Sequence, residues 1–147
     1  MKLSKKITSL LAAVLMVITV FTSAVPAFAN SATGKLTCGS YTAAVSLASA
    51  NKYSGGAFTT SSSKDSSGNN VKFNRLYAAM FGTKVDKNGD NPKYVSGPGK
   101  NATNATSAAD AIPVLSKTGG YYYARMSSAH IAVKNGVEKS TSLAVKY

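Results

Sequence analysis

Tyr41-Thr42-Ala43-Ala44-Val45-Ser46-Leu47-Ala48 is the stretch that decides the fold class. Tyr41, Ala43, Val45 and Leu47 alternate with Thr42, Ala44, Ser46 and Ala48. A period of two puts the first set on one side of an extended chain, the mark of a half-buried β-strand. The surrounding chain is rich in Ser, Thr, Gly, Ala and Asn and poor in charged helix formers, which argues against helices.

Working outward, Asn51 to Gly56 is turn chemistry, and Ala57 to Ser62 reads as the returning partner strand. Ser63 to Asn70 reads as a polar loop. Val71, Phe73, Arg75, Tyr77, Ala79 and Phe81 alternate again and predict a long strand, with a helix over Arg75 to Phe81 as the weaker alternative. Turn pairs at Asn88-Gly89, Asn91-Pro92 and Gly97-Pro98-Gly99 bracket a short strand near Tyr94-Val95. Asn101 to Ala109 is low in complexity and reads as an exposed loop. Tyr121 to Met126 and Ala129 to Lys134 read as strands, and Asn135-Gly136 is the strongest hairpin signal in the chain. Ser140 to Tyr147 is the closing strand, with Leu143 and Val145 on one face.

A faint internal repeat matches Gly39-x-Tyr41-x-Ala43-x-Val45-Ser46-x-Ala48 with Gly120-x-Tyr122-x-Ala124-x-Met126-Ser127-x-Ala129. Short strands, frequent turns and matched halves predict an all-β domain. The expected architecture is a single antiparallel β-sandwich, or a small barrel.

The N-terminus predicts the address. Lys2, Lys5 and Lys6 precede an apolar stretch from Ile7 to Val25, Pro26 ends it, and Ala27-Phe28-Ala29 offers an A-x-A exit. That order reads as a signal peptide over 1–29, followed by a secreted β-rich domain over 30–147. The style of the leader suggests a Gram-positive bacterium, and the product is expected outside the cell or loosely associated with the wall. Neither a lipobox nor a second apolar run follows, so no membrane span is expected in the mature chain. Removing Lys2, Lys5 and Lys6 lowers the basic count from 17 to 14 against the same five acidic residues, for a formal charge of +9. A positive field of that size favours extracellular polyanions and weakens with salt. The lysines are scattered singly, which is also how strands keep their outer sides soluble.

Catalytic sets are sparse. Cys38 and His130 are the only Cys and His of the chain. Cys38 is left three roles: a small buried hydrophobe, a partner for another chain, or a nucleophile with His130 as base. The string Ala129-His130-Ile131-Ala132-Val133-Lys134-Asn135-Gly136 resembles the histidine strand of the NlpC-type and CHAP wall peptidases, where an apolar strand delivers His to a cysteine. The resemblance covers only residues 129–136 and implies a thiol-dependent wall hydrolase. In those families the cysteine opens a helix, whereas Thr37 and Gly39 flank Cys38 in a segment that reads as strand. Tyr123, His130, Ala132, Val133, Lys134, Asn135 and Gly136 are also loosely similar to the small secreted β-sandwich bacteriocins of the lactococcin type, whose tryptophans are absent here.

No Gly-x-Ser-x-Gly elbow occurs. Asp86-Lys87-Asn88-Gly89-Asp90 resembles the first half of a calcium loop, but Asn91-Pro92 breaks the second half and no Glu closes it. A polar hairpin turn explains the string as well. Tyr121-Tyr122-Tyr123 places Tyr121 and Tyr123 on one face of a strand, with core packing as the favoured use and a stacking platform as the alternative.

Together these features predict a non-enzymatic secreted protein that binds an anionic cell-surface polymer or envelope, with no cofactor, no metal and no specific nucleic acid. The candidate binding residues are Lys72, Arg75, Tyr121, Tyr123, Lys134, Lys139 and Lys146. A bacteriocin-like factor, and an assembly subunit using edge strands and Cys38 to bind another protein, are the alternatives. The thiol hydrolase is the minor one.

Overall fold

The computed structural model describes residues 30–147. The predicted signal peptide lies outside the described residues. The alternation at Tyr41 is a strand, with Ala43, Val45 and Leu47 buried and Ala44, Ser46 and Ala48 half-buried. It belongs to a set of nine strands: β1 (Asn30–Cys38), β2 (Tyr41–Asn51), β3 (Ser54–Ser61), β4 (Phe73–Asp86), β5 (Lys93–Ser96), β6 (Lys100–Ala105), β7 (Ser107–Ala111), β8 (Tyr121–Lys134) and β9 (Val137–Lys146). No helix occurs among the described residues.

The strands form two antiparallel sheets. One runs β1-β2-β3-β7. In the other, β4 pairs with β8 and β8 with β9, while β5 and β6 share the opposite edge of β4. The two long segments expected at Tyr121 and Ala129 are one continuous strand, β8. Asn135-Gly136 makes the β8–β9 turn, both residues having positive φ (51° and 79°) as a two-residue hairpin of the I′ kind requires.

The segment expected as an exposed loop, Asn101 to Ala109, is instead ordered as β6 and β7. Thr103 of β6 pairs with Arg75 in one sheet, and Ala109 of β7 pairs with Phe58 in the other. The chain crosses between sheets at Thr106, whose carbonyl accepts from the Ser61 amide at 2.8 Å. Backbone ladders need no large side chains, and Ala102 and Ala108 fit where two sheets converge.

Side chains from both sheets make one core. Leu36, Val45 and Leu47 from the first meet Phe73, Leu76, Met80, Tyr123 and Met126 from the second. Gly82 allows a close approach within it, since a Cβ there would lie 2.6 Å from the Tyr123 ring. The sheet edges also approach each other. On one side Asn30 Nδ2 donates to the Lys146 carbonyl at 3.3 Å, bringing β1 beside β9 without a ladder. On the other, β6 pairs up to Ala78 and β5 begins at Phe81, so the Met80 amide falls between them. The buried Asp110 carboxylate of β7 accepts it at 2.8 Å. A bare buried amide is costly, so this one bond closes the seam.

Candidate functional site

Three turns meet at one end of the molecule. The β2–β3 turn brings Lys52 and Tyr53, the β4–β5 turn brings Lys87, and the β7–β8 connection brings Lys117 and Gly120. With Tyr121 and Tyr122 at the start of β8 they line a cleft of about 120 Å³ that contains no acidic residue. Backbone bonds fix its walls across the two sheets. The Tyr123 amide donates to the Lys52 carbonyl at 2.8 Å, and the Leu115 amide to the Tyr53 carbonyl at 2.8 Å. The Lys52 ammonium sits 4.2 Å from the Tyr122 ring centre and 5.8 Å from that of Tyr53. Lys84 lies 5.5 Å from the Tyr121 ring centre. Such cation–π contacts position an ammonium without neutralising it.

A β-bulge sorts the three tyrosines. Thr83 pairs with Arg125 and Lys84 with Tyr123, which leaves Ala124 as the extra residue of β8. Tyr123 is fully buried, its hydroxyl donating to the Pro113 carbonyl at 2.8 Å, and burial raises the pKa of its phenol. Its expected use as an exposed binding residue is therefore corrected: Tyr123 is core. Tyr121 is 38% exposed and available.

The calcium-like string beside Lys87 has a different explanation. Asp86 Oδ1 accepts from the amides of Asn88 and Asp90, each at 3.0 Å, and Oδ2 accepts from Asn91 Nδ2 at 2.7 Å. Those bonds, the Asn91 side chain first, hold the Asp86 carboxyl below its ordinary pKa. The carboxylate caps its own turn. Asp65 does the same for the amides of Ser67 and Asn69, each at 2.9 Å. No group of three or more Asp, Glu, His or Cys suited to a metal occurs among the described residues.

Cys38 and His130 do not form a dyad. The Cys38 thiol, 1% exposed, donates to the Ala132 carbonyl at 3.3 Å, and burial raises its pKa against the opposing effects of Lys134 and Lys139. His130 is fully buried and both of its ring nitrogens are occupied. Thr59 Oγ1 uses its proton on the Tyr77 carbonyl at 2.7 Å, so it accepts from His130 Nδ1 at 2.9 Å. Nε2 is then left to accept from Ser128 Oγ at 2.7 Å. The network assigns a neutral imidazole, and burial lowers its pKa to about 4.

The other predicted residues gather mostly at the far end. Arg75 pairs with Glu138 at 2.7 Å. Lys134 donates to the Lys72 carbonyl at 2.6 Å and lies 5.1 Å from the Tyr41 ring centre. Lys72 and Lys139 are exposed. Lys146 pairs with Arg125, midway toward the cleft. Only Tyr121 belongs to both the predicted set and the cleft. Lys52, Lys87 and Lys117 escaped sequence reading because they stand in turns, where a lysine looks like solvent chemistry. No family, no curated protein and no solved structure matches this chain.

Proposed function

We propose that the protein is a secreted, non-enzymatic β-sandwich that binds an anionic extracellular polymer, the wall polymer or envelope of a Gram-positive cell, through the basic cleft. One observation carries this reading: Lys52, Lys87 and Lys117 converge with Tyr53, Tyr121 and Tyr122 around a concavity with no carboxylate in its lining. Unopposed ammonium groups in a concave wall focus a positive field and raise the local concentration of anions. The formal charge of +9 that remains without residues 1–29 extends the same attraction over longer range at low salt. Catalysis receives no such support, because the Cys38 thiol and the His130 ring are each committed to other groups in the core.

The test is co-sedimentation with Gram-positive wall sacculi across a salt series, alongside sacculi stripped of anionic polymer. Binding should fall with salt and with stripping. The triple variant Lys52→Gln/Lys87→Gln/Lys117→Gln should bind about tenfold more weakly or worse, roughly half a kcal/mol for each lost cationic contact. Binding that ignores both salt and stripping would overturn the proposal.

A further inference from the structure

The size of the cleft and the type of its cations narrow the ligand further. Its volume, about 120 Å³, is well below the roughly 300–1,000 Å³ of sites that enclose a whole small molecule. It suits one charged group of a longer chain, with the rest left outside. Every cation in the lining is a lysine and none is an arginine. The rigid fork of an arginine matches carboxylate and phosphate alike, whereas ammonium groups are point charges, several of which can meet the oxygens of a tetrahedral phosphate from different sides. The neighbouring Asp86 does not compete for them, since its carboxylate is turned into its own loop by Asn88, Asp90 and Asn91. Tyr121, partly exposed at the rim with Lys84 near its ring, adds a flat apolar surface beside the charge.

We propose that the cleft captures a single phosphate group of a phosphodiester-linked polyol or sugar polymer, with Lys52, Lys87 and Lys117 around the phosphate and the Tyr121 ring against the adjoining carbon skeleton. This deepens the proposed function and rests on it.

Titration calorimetry of the purified protein with a glycerol phosphate diester (glycerophosphoglycerol, which carries one charge as glucuronate does), inorganic phosphate and glucuronate tests the chemistry. The diester should bind about tenfold more tightly than glucuronate. Lys52→Gln/Lys117→Gln should lose that binding by about tenfold or more, while Lys72→Gln/Lys139→Gln at the far end changes it by less than about twofold. Tyr121→Ala should weaken the diester several-fold and leave inorganic phosphate unchanged. Circular dichroism confirms that each variant is folded. Equal affinity for glucuronate and the diester, or equal losses from variants at the two ends, would overturn the inference, and salt-sensitive sacculus binding would then stand alone as the broader reading. Diester binding without any sacculus binding would sink the broader reading and, with it, the polymer. Sedimentation with phosphatidylglycerol vesicles in preference to sacculi would assign the phosphate to a lipid headgroup and overturn the polymer as its source.

Discussion

The two ends of the molecule carry similar ingredients arranged to different effect. At one end Lys52 lies near the Tyr122 ring, and at the other Lys134 lies near the Tyr41 ring. The far end engages part of its charge internally, with Arg75 paired with Glu138 and Lys134 donating to a backbone carbonyl, while Lys72 and Lys139 stand exposed. The cleft end leaves three lysines facing a concavity with no acid in its lining. Both ends hang on the same pair of strands, β4 and β8, each 14 residues long. What separates the two ends is that the cleft lysines share one concavity with no acid in its lining, whereas the far-end cations stand singly along strands beside Glu138.

The largest expected effect asks whether the ends stand or fall together. His130 lies between them, opposite Ala78, and burial holds its pKa near 4 against an ordinary 6.5. The unfolded chain therefore binds more protons at His130 between those values. Its neutral burial contributes stability in full above about pH 6.5, and that contribution is lost as the pH falls toward 4. The loss should approach about 2 kcal/mol by pH 5 and on the order of 3 kcal/mol below pH 4. Urea midpoints at pH 7, 5 and 4 read it, and a flat profile from pH 7 to 5 would refute it. Thiol labelling of Cys38, at the far end, should follow the same transition as circular dichroism; a separate transition would break the two ends into independent units.

Gly82→Ala comes next. The added methyl group lies 2.6 Å from the ring of Tyr123, which is fully buried and tethered to Pro113. Overpacking should cost about 2 kcal/mol. Because Tyr123 also anchors the Lys52 turn through its amide, cleft binding should weaken while the surroundings of Arg75 and Glu138 are unchanged. Measured stability equal to that of the parent would show that the ring moves freely.

The smallest effect sharpens the comparison most directly. The Arg75–Glu138 pair is partly exposed, with side chains 37% and 56% accessible. Glu138→Gln should change stability by less than about 1 kcal/mol. It should nonetheless free Arg75 and raise sacculus binding at low salt. Unchanged binding would mean that charge at the far end does not reach the polymer, whether paired or free.

Sequence periodicity located the strands whose alternate side chains are large, such as β2 and the body of β4. It missed β6 and β7, where Ala, Asn and Thr hold their places through backbone ladders and leave no apolar stripe to read. The first residues of β1 were unread for the same reason. In β8 the period of two puts Tyr121 and Tyr123 on one face, with core packing the favoured use and stacking the other. The end of the strand lets Tyr121 project beyond the core while Tyr123 fills it, a difference of position along the strand that alternation alone does not contain. The cleft was legible in part. Asp65-x-x-Gly68-x-Asn70 and Asp86-x-x-Gly89-x-Asn91 share one self-capped turn, and recognising it would have removed the calcium reading and placed Lys87 on a rigid support. The meeting of Lys52, Lys87 and Lys117 was not legible, because it depends on how two sheets close over each other.

At the level of the gene, the bulge at Ala124 makes one codon the shared property of interior and surface. Tyr123 already pairs with Lys84 and Arg125 with Thr83, so were Ala124 drawn into the ladder as an ordinary paired residue, the tyrosines would shift by one step against β4. The ring that fills the core would turn outward, and the ring beneath Lys52 would turn in. That one unpaired residue sets which tyrosine is interior and which lines the cleft.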